Sequence, residues 1–357
     1  MKKSILLLLL FFSFSAIRAE NNWSLSDGTL TISGANVPDY EEGSAPWYNE
    51  RNDIETVVIE ADVTSIGNYA FAGCSSITSI TFNESMPPEF GESVFDGVGE
   101  TITVRVPANS REAYANALED FGLSNIKAFL SLNDNIEEFI QDSQIEDVDV
   151  SFTRYFPHTY WQAIYLPFSL KYDDWKDDFE VAYISDIRQY DDNKDGYIDR
   201  TVLDFETMKS GSTTPNTPYL IMAKKIGEKT LSAKNVTVYK TETNSFEFTN
   251  GSGKYIVTGT YKKITYLSFV QTQIKPYVMD NRGFIEQFTA LNGTLSPFSW
   301  YMEAEYINFD YVEPTGINEI KSSDDKSPVY DINGRRVNEN SLKPGLYIRN
   351  GRKFVVK

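Results

Sequence analysis

The sequence predicts a mostly β fold, in which a short repeat solenoid is followed by an antiparallel β-sandwich and a small C-terminal β tail. Three observations predict it. The first third of the chain repeats every 23–24 residues with one strand-like run per unit. In the middle of the chain, runs of β-branched and aromatic residues recur every 8–14 residues. The last 30 residues contain two Asn-Gly hairpin signals.

The repeat is visible in two stretches that align without gaps at an offset of 24 residues, Ile66–Cys74 and Phe90–Val98. The strand-like runs that follow them keep the same step, and Ile54–Ile59 upstream fits at an offset of 23. A near-constant step is typical of a solenoid, because each unit buries its apolar edge only by stacking on its neighbours.

The apolar positions shared by the units predict the repeat core: Ile66, Phe71, Cys74, Ile80, Phe82, Phe95, Val104 and Val106. Cys74 is the single cysteine and aligns with Val98, so its position suits a small buried side chain. A catalytic thiol needs an activating neighbour, and the one histidine, His158, lies in another segment. Cys74 and His158 are therefore interpreted as structural.

The stretch Val63–Phe82, together with the lead-in Trp23–Asn49, resembles the BspA-like leucine-rich repeats of surface proteins of Bacteroidales type. Their unit reads roughly V-x-x-I-G-x-x-A-F-x-x-C-x-x-L-x-x-I. The resemblance covers residues 22–127 and implies a leucine-rich-repeat solenoid. It also implies adhesion to host or neighbouring-cell proteins.

Residues 1–19 predict a secretory signal peptide, with Lys2 and Lys3 before an apolar run and Ala19 at its end. The run from Ile5 to Ile17 is shorter than a typical membrane span of about 20 residues. A retained signal anchor is the alternative. The predicted location is therefore the cell surface or the extracellular medium.

Charge and cysteine content narrow the classes of partner. The formal net charge of −18 disfavours nucleic acid, because phosphate backbones would be repelled. One cysteine cannot form an intramolecular disulfide, and one histidine with one cysteine is too few for a zinc site. The predicted partner is an extracellular protein or a glycan.

A predicted helix with Asn109 as N-cap and Gly122 as C-cap closes the open end of the repeats. The C-terminal tail resembles the sorting domains of proteins exported by the type-nine system, which implies sorting or surface attachment; the alternative is a small β-module that completes the fold. The predicted division is a signal peptide (1–19), a repeat domain with its lead-in and capping helix (20–127), an acidic linker (128–147), an antiparallel β-sandwich (148–312), a polar linker (313–327) and the sorting-like tail (328–357).

A nine-residue acidic stretch is the predicted metal site. It matches the first half of an EF-hand loop and offers calcium ligands at Asp191, Asn193, Asp195 and Asp199. Val202 stands where the loop would need its bidentate glutamate, and the flanking runs look like strands. The alternative is a hairpin turn, since Asp-Gly favours turns. No cofactor other than calcium is predicted.

Aromatic residues concentrate in Tyr155–Tyr165 and Phe298–Tyr306. They are interpreted as sandwich core. In the alternative interpretation they form a carbohydrate-binding face that uses Trp161, Trp175 and Trp300. The sequence therefore predicts a secreted or cell-surface, non-enzymatic interaction protein that adheres through its repeat and β-domain surfaces. A carbohydrate-binding accessory protein is the second hypothesis, and a glycosidase that uses two carboxylates is the third.

Overall fold

The computed structural model describes residues 22–191, 194, 200–250, 253–272, 275–279, 285–289, 293–304 and 309–311, and, in the C-terminal part, 329–331, 336–337, 342, 345–349 and 352–356. The predicted signal peptide and the 313–327 linker lie outside these residues. The described part is mostly strand with few helices.

The helices are α1 (Arg111–Leu118), α2 (Tyr172–Trp175) and α3 (Tyr266–Thr272). The strands of the first half are β1 (Asn22–Ser26), β2 (Thr29–Ser33), β3 (Asn36–Val37), β4 (Thr56–Ile59), β5 (Ser65–Ile66), β6 (Ser79–Phe82), β7 (Glu89–Phe90), β8 (Thr103–Pro107), β9 (Ile126–Asn133), β10 (Ile145–Phe156), β11 (Gln162–Tyr165) and β12 (Phe179–Tyr190). Those of the second half are β13 (Arg200–Thr207), β14 (Pro218–Ala223), β15 (Gly227–Val238), β16 (Ser245–Asn250), β17 (Gly253–Thr260), β18 (Ile264–Thr265), β19 (Pro276–Met279), β20 (Ile285–Gln287), β21 (Thr294–Leu295), β22 (Ser299–Ala304), β23 (Phe309–Tyr311), β24 (Val329–Asp331), β25 (Arg336–Val337), β26 (Gly345–Arg349) and β27 (Arg352–Val356).

The repeats build one long sheet. Its order is β1-β2-β4-β6-β8-β9-β10-β15. The six strands from β2 to β10 in this order run parallel to one another, whereas the edge strands β1 and β15 are antiparallel to their neighbours. Buried residues of successive units lie in register, with Val57 beside Ile80 and Ile80 beside Val104. The turns on the other side carry a second, three-stranded parallel sheet of β3, β5 and β7. The sequence period thus appears as a ladder of parallel strands.

Aromatic rings stack on each other at the repeat step inside this core. Trp47 lies 5.9 Å from Phe71 and Phe71 lies 5.7 Å from Phe95, measured between ring centroids. Phe121 then packs edge-on against Phe95 and ends the row. The indole nitrogen of Trp47 donates to the carbonyl oxygen of Ala70 at 2.8 Å, which ties the lead-in to the first full unit.

Two repeat glycines lie where another backbone comes very close. A Cβ atom added to Gly67 would lie 2.4 Å from the carbonyl carbon and oxygen of Pro38. One added to Gly91 would lie 2.4 Å from Oδ1 of Asn68 and 2.6 Å from its backbone nitrogen. Only glycine permits this approach, which explains why it recurs at the same place in both units.

The helix after the repeats differs from the prediction in its N-terminal cap. A short 3₁₀ turn precedes α1, so the N-cap is Ser110 rather than Asn109, and Ser110 makes no side-chain capping bond. Gly122 ends the following 3₁₀ turn in the left-handed conformation, with φ of 72°. Tyr114 and Leu118 reach from α1 into the repeat core.

The predicted linker at 128–147 is wrong over much of its length. Residues 126–133 form β9, which pairs with β8, and β10 begins at Ile145 within the supposed linker. β10 pairs with β9 in parallel and with β15 in antiparallel fashion. This segment forms strands because its side chains alternate between two faces. Ala128 and Leu132 are buried in the core, so one face of β9 is apolar although the segment as a whole is acidic.

Two further sheets of five strands each follow, with orders β11-β14-β12-β13-β23 and β16-β17-β22-β19-β20. Apolar residues from both sheets meet in one cluster, which includes Leu203 and Phe205 from the first sheet and Trp300 and Met302 from the second. Thr265–Val270 is one of the β-branched and aromatic runs that predict strands in the middle of the chain, but Tyr266–Thr272 instead forms α3, whose Phe269 is buried.

The described C-terminal residues form a separate sheet of order β25-β24-β26-β27. All of its pairings are antiparallel, and Arg349 pairs with Arg352 across the second hairpin. The Asn-Gly pairs predicted to turn the chain lie outside the described residues.

Candidate functional site

The long sheet has one face against the core and one face that is at least partly exposed over its whole width, here called the open face. Because side chains alternate along a strand, every second residue of β2, β4, β6, β8, β9, β10 and β15 belongs to it. These residues are mostly hydroxyl-bearing: Thr29, Thr31, Thr56, Ser79, Thr81, Thr103, Ser131, Ser151, Thr153, Thr230 and Ser232.

The hydroxyl groups lie in rows across the strands. Thr56 and Ser79 approach to 3.4 Å between their side-chain oxygens, and Thr153 and Thr230 to 2.9 Å. Ser151 donates to Ser131 at 3.3 Å. These rows give the face a hydroxyl-rich surface, and the β-branched threonines also suit strand geometry.

The charged centre of the open face lies where the repeats end. Nη1 of Arg105 donates to Oδ2 of Asp149 at 2.9 Å, and Nζ of Lys127 lies 3.0 Å from Oδ2 of Asp147. Phe129 lies beside them on β9, in register with Asp149. Arg105 and Phe129 are of residue types enriched at protein–protein interfaces, whereas Lys127 and the two aspartates are of types depleted there.

A buried ion pair lies on the core side of the long sheet, near the C-terminal end of β10. Arg154 on β10 is only 6% exposed and donates through Nε to Asp134 at 2.7 Å and through Nη2 at 3.1 Å. The same guanidinium donates to the carbonyl oxygens of Ala163 at 2.8 Å and Phe298 at 3.3 Å. One side chain therefore joins the long sheet to both five-stranded sheets.

The predicted repeat-core residues all lie in one apolar cluster and are buried: Ile66, Phe71, Cys74, Ile80, Phe82, Phe95, Val104 and Val106. Burial raises the pKa of the Cys74 thiol to about 11. Its repeat partner Val98 belongs to the same cluster. A neutral thiol in an apolar core has neither the ionisation nor the access that a nucleophile requires.

The predicted calcium residues are only partly described. Asp191 directly follows β12, whereas Asn193, Asp195 and Asp199 lie outside the described residues. The strands on either side form a hairpin, with Tyr190 opposite Arg200. Among the residues that the structure describes, no three His, Cys, Asp or Glu side chains converge to hold a metal ion.

The three tryptophans of the alternative carbohydrate-binding face do not lie on the protein surface. Trp161, Trp175 and Trp300 are buried, and the indole of Trp300 donates to the carbonyl oxygen of Tyr219 at 2.7 Å. Their ring faces pack in cores and cannot receive a sugar. Exposed rings lie instead at Tyr155 and elsewhere in the β region.

The residues considered for acid–base chemistry do not assemble a described site. His158 packs its ring against Tyr160, with the centroids 5.1 Å apart. Glu303 on β22 and Glu305 share one side of a strand in the sequence and are candidates for the two carboxylates of the glycosidase hypothesis; burial raises the pKa of Glu303, and Glu305 lies outside the described residues.

The sequence reasoning missed the continuation of the open face through β9, β10 and β15. A signal was present, because Lys127, Phe129 and Ser131 alternate with apolar residues, as in a strand with one buried face. The acidic residues that follow instead favoured the interpretation of residues 128–147 as a linker. Pairing with the distant β15 has no local signal at all.

Comparison with known proteins concerns the repeats. Residues 44–160, a third of the chain, match the family model described as "BspA type Leucine rich repeat region (6 copies)". A solved leucine-rich repeat protein from Eubacterium ventriosum is similar at 20% identity over 36% of this chain, with a TM-score of 0.21. The aligned part spans 41% of that protein. No curated protein matches the chain.

The family match extends beyond residue 127 and includes β9 and β10. The matched range therefore contains the whole of the predicted linker at 128–147. No helix in the described part of the chain has the length and apolar character to cross a membrane. Residues 44–160 are thus similar to BspA-type leucine-rich repeats, and their strands carry most of the open face.

Proposed function

We propose that the protein is an exported, non-enzymatic interaction protein that binds an extracellular protein partner through the open face. The observation that carries the proposal is the unbroken width of that face, which spans seven consecutive strands from β2 to β15. In this proposal the parallel units act as a short solenoid, and the two five-stranded sheets form a sandwich that supports its end. Adhesion to a host or neighbouring cell is the role that this arrangement serves.

The chemistry of the face supports a protein partner. Its rim is polar and rich in hydroxyl groups, and its centre combines Phe129 with the ion-paired Arg105 and Lys127. Interfaces between proteins have this arrangement of an aromatic and arginine-bearing centre within a polar rim. The paired charges add specificity more than affinity, because each already has an intramolecular partner.

The rigidity of the face supports the proposal as well. Strands from the repeats and from the following region share one set of ladder hydrogen bonds, and Arg154 fixes their junction from below. A surface held in one conformation loses little entropy on binding. We propose that the signal peptide directs export and that the C-terminal sheet serves sorting or attachment at the cell surface.

The test is a binding screen with substitutions that block the face without disturbing the core. Residues 22–357 are passed over immobilised extracellular-matrix proteins in a surface plasmon resonance assay. Thr81→Tyr places a bulky side chain on the open face, and Ser75→Tyr places the same side chain on an exposed turn away from it. We expect saturable binding that Thr81→Tyr reduces at least tenfold and Ser75→Tyr leaves unchanged. Equal effects of the two substitutions would contradict the proposal.

A further inference from the structure

A cleft of about 730 Å³ lies on the outer side of the β12–β13 hairpin, away from the core that the two five-stranded sheets share. Its lining includes Tyr183, Arg188, Asp204, Glu206 and Lys209. The first four belong to the sheet of order β11-β14-β12-β13-β23, which is separate from the long sheet, and Lys209 lies two residues after β13. The cleft is therefore a second surface, independent of the open face.

Two hydrogen-bonded pairs hold the polar side chains of the cleft in place. Tyr183 and Glu206 are opposite each other on the two strands, and the phenol donates to Oε2 of the glutamate at 2.7 Å. Arg188 donates to Asp204 through Nε, and through Nη2 to Oδ1 at 2.6 Å. Side chains fixed by such partners are pre-positioned for a ligand.

The strand carrying Tyr183 and Arg188 is bulged between them. The register shifts between Ile184 and Asp186, and the hydroxyl of Ser185 donates to the carbonyl oxygen of Asp204 at 3.1 Å. A bulge re-aims the side chains that flank it, and bulges are frequent beside binding sites. Behind the cleft, Leu203 and Phe205 are buried in the shared core, so the floor of the cleft is rigid.

The charges of the cleft cancel. Asp204 and Glu206 provide two negative charges, whereas Arg188 and Lys209 provide two positive ones. Arg188 is already engaged by Asp204, so it is a poor anchor for an anionic ligand. A tyrosine phenol is neutral at physiological pH, and the hydrogen bond to Glu206 raises the pKa of Tyr183 further. A neutral ligand therefore fits better than a phosphate, a nucleotide or a strongly acidic peptide.

The hydrogen-bonding capacity of the cleft identifies the ligand class further. A carboxylate has about four lone-pair positions, so Asp204 and Glu206 can accept more hydrogen bonds than Arg188 and Tyr183 supply. The ring of Tyr183 is 36% exposed and offers a flat apolar surface next to these acceptors. Several acceptors around one exposed ring match a ligand that has many hydroxyl groups and an apolar face of C–H bonds.

We infer that this cleft binds a neutral glycan, with a sugar ring placed against Tyr183 and its hydroxyl groups donating to Asp204 and Glu206. Arg188 positions Asp204 and can donate to a ring or hydroxyl oxygen. The site requires no metal and no residue of the open face. The protein would then hold a protein partner and a glycan on two different sheets.

The experiment is isothermal titration calorimetry of residues 22–357 with four neutral tetrasaccharides: cello-, malto-, xylo- and mannotetraose. A heparin tetrasaccharide serves as the negatively charged control ligand. We expect saturable binding of at least one neutral tetrasaccharide and none of heparin. Tyr183→Ala removes the ring, and Glu206→Gln keeps its shape while removing the strong acceptor. Glu206→Gln is expected to raise Kd at least about tenfold, the effect of losing one hydrogen bond to a charged group. Tyr183→Ala is also expected to raise Kd at least about tenfold, because it removes the whole ring surface against which the sugar packs.

Two controls keep the result interpretable. Tyr239→Ala removes another exposed tyrosine outside the cleft and is expected to leave Kd unchanged. Tyr183→Phe retains the ring and should lose less affinity than Tyr183→Ala. The inference is overturned if no neutral tetrasaccharide binds, if heparin binds more tightly than all of them, or if folded Tyr183→Ala and Glu206→Gln proteins keep Kd within twofold. Thr81→Tyr, which tests the open face, should not alter glycan binding, so the two proposals fail separately.

Discussion

Asp134→Asn tests whether the buried ion pair joins the long sheet to the region that follows. The carboxylate of Asp134 accepts two hydrogen bonds from Arg154, at 2.7 and 3.1 Å. Asparagine keeps the size of the side chain but removes the charge and replaces one acceptor oxygen by a donor group. The guanidinium then remains buried without an ionic partner, because arginine does not lose its proton in a protein.

The magnitude follows from the burial of the two partners. Removing one partner of a buried ion pair costs about 3–5 kcal/mol. Arg154 keeps its bonds to the carbonyl oxygens of Ala163 and Phe298, and the side chain of Asp134 is 25% exposed, so water can reach part of the vacated position. We therefore expect the free energy of unfolding to fall by about 2–3 kcal/mol, below the full cost of an isolated charge.

The assay is urea unfolding of residues 22–357 followed by tryptophan fluorescence, because tryptophans lie in both the repeats and the β region. Glu137→Gln is the matched control. It makes the same carboxylate-to-amide change three residues away, where Glu137 pairs with Lys263 at 2.9 Å but is 78% exposed. An exposed pair contributes about 0–1 kcal/mol. Equal losses for Asp134→Asn and Glu137→Gln would refute the reasoning.

Three further predictions concern the core and the acidic loop. Gly67→Ala should lower the free energy of unfolding by about 2 kcal/mol or more, because the added Cβ would collide with backbone atoms. In Gly99→Ala the nearest atom to the added Cβ is 3.8 Å away, so the same urea assay should show no loss of stability. Cys74→Val should fold stably. The pKa of the Cys74 thiol is 9.0 in the unfolded chain and about 11 in the folded protein, so its ionisation destabilises the native protein at alkaline pH, and Cys74→Val should lack that loss. The contribution of the neutral thiol to the free energy of unfolding is complete below about pH 9 and falls towards pH 11, by up to about 1.4 kcal/mol per pH unit. The difference in free energy of unfolding between the native and Cys74→Val proteins should therefore change only between these two pH values. If the 191–199 loop holds calcium, EGTA should lower the Tm of the native chain but not that of Asp191→Asn, and an unchanged native Tm would favour the turn interpretation.

The parts of the fold that were predictable are those in which one local pattern repeats. Ile66, Phe71 and Cys74 recur at a fixed step, and repetition places them in the core without knowledge of any distant contact. Trp47 belongs to the same 24-residue series as Phe71, and its stacking on Phe71 adds an aromatic core position to the unit that the run Ile54–Ile59 had already indicated.

The parts that were not predictable depend on distant pairing or on competing local preferences. The run at 265–270 has the β-branched and aromatic composition of a strand, yet it folds as α3 because Phe269 packs against Tyr301 of β22 at 4.9 Å. The polar cleft arises from the register of β12 against β13, and neither strand alone shows that Tyr183 meets Glu206. Cross-strand partners are a property of register, which the sequence of one strand does not determine.

The continuity of the long sheet also determines how its function can be tested. A deletion that ends at residue 127 would cut β9 near its start and remove β8, the strand with which β9 pairs in parallel. It would expose the buried side chains of Ala128 and Leu132 and leave a new unpaired edge, which favours aggregation. Loss of binding after such a deletion would therefore report a damaged sheet and not the position of a binding surface. Single substitutions on the open face and in the cleft keep every strand in place, so only they can assign binding to one surface or the other.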